Sequence, residues 1–254
     1  MDLSVKIMDK IDTLSSILNF QTDDTSAYWR GALFKAYPFL DEKKCLNMSW
    51  NERKEYLTAE LSKIYDKIEI NLQKKCFIFQ KIWNENKEKI NHIYTKVYGI
   101  DCDNLFNTMI AEVSLNPVCP RNLRQQSYSV TWAGDELDFL KTSLHEMIHF
   151  VWFYIWKQHF KDDWSEYEAP NLKWILSEMV IDTFVKNTDI GNMYPEKYKN
   201  KPAYKYFYDM KINNQIILEE LTSLYIKSKN IIQFMEESYL YCQINEKDIR
   251  RQIL

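Results

Sequence analysis

His145-Glu146-Met147-Ile148-His149 sets two imidazoles four residues apart with a carboxylate directly after the first, a pattern suited to metal binding and proton transfer. On an α-helix, four residues turn through about 400° and rise roughly 6 Å, so both imidazoles leave the same face and can share one ion. Zn²⁺ takes two imidazole nitrogens at about 2.0–2.1 Å, and a catalytic site adds a third protein ligand while leaving a position for water. Glu146 falls beside that position. There its carboxylate can take a proton from activated water during attack on a carbonyl and hand it to the leaving amine. The expected activity is zinc-dependent hydrolysis of a peptide or protein substrate, with Glu146 as general base. The flanking Thr142, Ser143, Leu144, Met147, Ile148, Phe150 and Val151 are uncharged, as a buried helix requires when its polar groups bind metal. His92 and His159 have no histidine or cysteine partner at ligand spacing and are expected to be solvated or singly hydrogen-bonded.

A third ligand should come from downstream. In Ile175-Leu-Ser-Glu178-Met-Val-Ile-Asp182, two acids share one helix face within an apolar stretch. Buried carboxylates are costly unless paired or metal-bound, so Glu178 suits the ligand role and Asp182 a hydrogen bond to a ligand imidazole. Glu166 and Glu168 compete for the ligand role from the polar loop between Asp162 and Pro170.

His145-Glu146-x-x-His149 followed by Glu178-x-x-x-Asp182 resembles the gluzincins, the thermolysin-like branch of the zincin metallopeptidases, over about Thr142 to Asp182. The resemblance implies a zincin-like core, Glu178 as third zinc ligand and Asp182 as the residue that orients a ligand histidine. The 28 residues between His149 and Glu178 exceed the thermolysin gap. Trp152 and Ile155 stand where the metzincin extension needs a glycine and a histidine. Gluzincins also place a tyrosine or histidine after the third ligand to stabilise the oxyanion, which implies Tyr194, Tyr198 or Tyr204, with Tyr206 and Tyr208 farther along the same segment. A further implication is an edge strand, Ser127 to Trp132, that pairs with an extended peptide.

These residues need a scaffold, and the chain reads as α+β, predominantly helical, with a small sheet of two to four strands beside the motif helix. Leu3, Ile7, Ile11, Leu14 and Leu18 form a helical stripe from Asp2 to about Asn19. A second helix is expected from Trp50, after the N-cap Ser49, to Tyr98, where Gly99 stops it. The first hundred residues thus form a helical layer, and residues 101–254 the catalytic core of a single domain. Thr108 to Leu115 reads as a strand, and Ser127 to Trp132 alternates as a half-exposed one. The motif helix starts at Asp135 and runs to about His159, apolar on nearly every face. Helices follow from Asn171 to Asn187 and from Asn213 to Tyr241, with a tyrosine-rich loop between them and a polar tail.

Only 4 glycines among 254 residues argue against a turn-rich β fold. A net charge of -3 gives no attraction to phosphate backbones or anionic membranes, so neither nucleic acid nor membrane is an expected partner. The five cysteines are scattered, which suggests buried thiols, and the lack of a signal-like or spanning segment makes a soluble cytoplasmic protein the default. The alternative to an enzyme is a non-catalytic regulatory protein that keeps the zincin scaffold and binds partners through residues 1–100.

Overall fold

Leu3, Val5 and Ile7 also repeat at a spacing of two, and in the computed structural model that period prevails: β1 (Leu3–Ile7) is a strand where a helix was expected. It pairs in parallel with β2 (Met109–Ser114), and this long-range ladder outweighs the local helical stripe. Only then does α1 (Lys10–Leu18) begin, capped by Asp9, whose side chain accepts from the Asp12 amide. Ile11, which the stripe would bury, is 77% exposed. The structure describes residues 1–106 and 109–253, so Thr108, the expected start of β2, lies outside them.

Two short elements complete this sheet, β3 (Arg121–Asn122) and β4 (Ser127–Thr131), in the order β1-β2-β4-β3. β4 is neither half-exposed nor an edge. Ser127 to Val130 are all buried, β2 lies on one side, and on the other β3 pairs with Ser127 and Tyr128 while Pro120 O accepts the Ser129 amide. A parallel strand inside a sheet is covered on both faces, which alternation alone does not reveal.

The chain forms two compact units. One comprises Asp2–Glu85 and Asn107–Phe139, and holds the sheet, α1, α2 (Ala27–Ala36), α3 (Glu42–Leu46) and the first part of α4 (Trp50–Tyr98). α4 has the expected bounds. Ser49 and Glu52 form a reciprocal cap, with the Ser49 amide donating to Glu52 Oε2 at 2.9 Å, and Gly99 ends the helix at φ 69°.

The other unit comprises Met1, Asn86–Phe106 and Leu140–Leu254. It takes the end of α4, most of α5 (Glu136–Phe160), α6 (Leu172–Asn187), the short α7 (Ile190–Met193) and α8 (Glu196–Lys199), and a hairpin of β5 (Lys211–Ile212) and β6 (Gln215–Ile216). The single helix expected from Asn213 to Tyr241 is instead this hairpin followed by α9 (Ile217–Lys227) and α10 (Ile231–Ile244), and the polar tail is α11 (Glu246–Ile253). Asparagines make both breaks. Asn213 and Asn214 turn the hairpin at φ 51° and 67°, conformations that asparagine tolerates, and Asn230 caps α10 by accepting from the Gln233 amide. α6 packs against α7, α9 and α10, and Trp152, Phe184, Tyr225 and Phe234 meet mainly edge to face in the core. Among the described residues no helix is long and apolar enough to cross a membrane.

Candidate metal centre

α5 is buried at Ser143 and Leu144 and from Glu146 to Phe153, so the motif sits in the immersed middle of the helix. Two tyrosines one turn apart on α4 fix it: Tyr94 Oη donates to Leu144 O at 2.6 Å, and Tyr98 Oη to Ile148 O at 3.4 Å. The Ile90, Tyr94, Tyr98 stripe could have pointed to them in the sequence, but aromatic residues at that spacing ordinarily signal packing alone.

The imidazoles of His145 and His149 approach with Nε2 atoms 3.1 Å apart. Glu178, carried by α6, closes the group, with Oε1 3.3 Å from His149 Nε2 and Oε2 3.4 Å from His145 Nε2. Donors held at about 2.0–2.1 Å around one tetrahedral ion stand about 3.3 Å from one another, so the three side chains fit such an ion. Among the described residues this is the histidine, cysteine, aspartate or glutamate group that could hold a metal, its donor atoms all within 4.8 Å. Glu178 is 2% exposed. Burial pushes its carboxyl pKa up, but the charge of His149 and hydrogen bonds from both imidazoles outweigh that and hold it well below the usual range. A carboxylate oxygen in that place is a donor type that suits a divalent cation.

The competing acids lie elsewhere. Glu166 is bound by the ammonium of Lys173, which also holds Asp162, while Trp156 Nε1 donates to Asp162 Oδ2 at 2.8 Å. Glu168 is exposed and outside the cluster. The Lys173 pairs tie the loop before α6 to the helix. Lys173→Ala is expected to lower stability in urea by about 1–3 kcal/mol, below the roughly 3–5 of a fully buried pair because Asp162 and Glu166 are partly solvated. Zinc affinity should not change, and a fall would place this loop in the site.

Glu146 is 6% exposed and sits on α5 between His145 and His149. Of the three expected tyrosines, Tyr194 is the one that is buried. The Tyr194 side chain is buried and its hydroxyl has no hydrogen-bond partner among the described residues. Burial drives its phenol pKa up, and the next cause is the negative charge of Glu146, followed by Tyr208 and Glu178. Tyr198 is half-buried against the ammoniums of Lys141 and Lys197, and Tyr204 stacks on Tyr206. Asp182 is one turn beyond Glu178, but its Oδ1 accepts from Tyr208 Oη and from Lys186 Nζ, each at 2.8 Å, and neither imidazole is among its partners. His92 is exposed, and His159 makes a single bond to Glu236 Oε1 at 2.8 Å.

Set against family models, curated proteins and solved structures, the chain matches none of them.

Proposed function

We propose that this chain is a zinc-dependent peptide hydrolase with a zincin-like core of the gluzincin type. The observation that carries the reading is the convergence of His145, His149 and Glu178 at tetrahedral spacing, with Glu146 on the same helix turn. A site of two histidines and a carboxylate leaves a coordination position for chemistry. An ion bound there supplies Lewis acidity, polarising a carbonyl and acidifying a water. Glu146 accepts the proton of the attacking water and returns it to the leaving nitrogen. The hydroxyl of Tyr194, held without a partner near Glu146, donates to the oxygen on which negative charge develops.

Purified protein is expected to contain one zinc per chain and to cut members of a peptide library, with cutting lost to a chelator and restored by zinc. Iron in place of zinc would overturn the metal assignment, since iron(II) also uses two histidines and a carboxylate. A second reading is favoured by the contacts of Asp182, which depart from the gluzincin arrangement: a regulatory protein that keeps the metal site without turnover. Stoichiometric zinc with no cleavage would establish that reading.

A further inference from the structure

The segment after α6 is fastened to that helix at two points. At the first, α7 crosses so close to the end of α6 that a Cβ on residue 191 would stand 1.9 Å from Val185 O. Only glycine fits there. The corner is tightened by Thr188, whose Oγ1 donates to Phe184 O at 2.6 Å and accepts from the Ile190 amide, and Tyr194 N donates to Ile190 O at 3.2 Å. At the second point, fourteen residues beyond Tyr194, Tyr208 Oη accepts the Ala203 amide at 3.0 Å and donates to buried Asp182. Between the two points Tyr194 keeps a buried hydroxyl that nothing in the described residues satisfies, a costly arrangement in a packed interior.

We infer that α7 and the chain to Tyr208 act as a two-point brace on α6, with Gly191 and Tyr208 as positioning residues that hold the Tyr194 hydroxyl in place for a substrate carbonyl oxygen. The inference rests on the proposed hydrolase reading for the substrate, but the brace itself does not. It also gives Asp182 a role that its contacts support, anchoring the segment that follows Tyr194.

The test compares Gly191→Ala, Tyr208→Phe, Tyr194→Phe and the two double variants that combine each brace substitution with Tyr194→Phe. Zinc titration against a competing chelator should give affinities within about twofold of the parent in all of them, because the ligands lie on α5 and the middle of α6. Tyr194→Phe should lower kcat by about 10²–10³-fold at little changed KM, and each brace substitution should lower kcat in the same direction. Each double variant should be no worse than Tyr194→Phe alone, because the brace acts through that hydroxyl. Nitration by tetranitromethane, located by mass spectrometry, supplies a readout that needs neither zinc nor turnover. Tyr194 should be protected in the parent and nitrated in Gly191→Ala and Tyr208→Phe, while buried Tyr98 and Tyr167 stay protected in all. If Gly191→Ala does not fold, Tyr208→Phe carries the comparison. Losses that multiply in the double variants, or Tyr194 still protected in Tyr208→Phe, would overturn the brace. A parent that binds zinc but cuts no peptide would overturn the hydrolase reading instead, leaving the nitration result to decide the brace.

Discussion

Glu178→Ala is expected to weaken zinc binding by more than the roughly 10–100-fold that follows loss of a residue supporting a ligand, because it removes a ligand itself. The carboxylate stands 3.3 and 3.4 Å from the two imidazole nitrogens, so its loss leaves two histidines without their acidic partner. His149→Ala should be as damaging, since that imidazole is fully buried and the group among the described residues that could hold a metal offers only His145 and Glu178 besides it. Glu166→Ala and Glu168→Ala should bind zinc like the parent. For Asp182→Ala, the sequence alone suggests a loss through a loosened imidazole. Its observed partners are Tyr208 and Lys186, so the expected result becomes near-parental zinc affinity with a less firmly held Tyr194. The series is read by competitive titration. Parental affinity in Glu178→Ala, together with loss in Glu166→Ala or Glu168→Ala, would remove the gluzincin assignment while leaving the His145 and His149 pair in place.

The convergence of His145 and His149 was legible in the sequence because its information is local. Two histidines and a glutamate within five residues define a helix face, and the uncharged flanks define its burial. Glu178 was legible for a related reason, an acid inside an apolar helix. The helices α4, α5 and α6 came from periodicity and caps over long stretches, where a few ambiguous residues do not change the period. β1 was not legible, since Leu3 and Ile7 satisfy both a spacing of two and a spacing of four, and the choice is made by β2 a hundred residues away. The covered edge of β4 depends in the same way on a two-residue partner that carries no signal of its own. Asp182 was misread because its position on the Glu178 face is fixed by the helix, whereas its partners come from Lys186 and the tyrosine segment. Gly191 is the most instructive omission. Its need for a missing side chain arises only from contact with the Val185 carbonyl, which no spacing rule encodes.

Glu146→Gln should retain zinc and fold yet lose hydrolysis, by about 10²–10⁴-fold or to below detection. The amide has the shape of the carboxylate but cannot accept a proton, so under the proposed hydrolase reading the attacking water would lose its base while His145, His149 and Glu178 stay untouched. Glu146 lies outside the group whose donor atoms converge, which is why zinc content is expected to be parental. Stability gives an independent measure of the same role. A carboxylate only 6% exposed is kept in the interior together with buried Glu178. Such an arrangement costs free energy in the metal-free protein. Neutralising Glu146 should therefore leave the metal-free variant no less stable than the parent in urea, as expected where a residue is kept for chemistry rather than for the fold. Parallel measurements of zinc content, urea midpoint and peptide cleavage decide the matter. Zinc lost together with activity would make Glu146 a ligand, and a large fall in the urea midpoint would make it a structural residue.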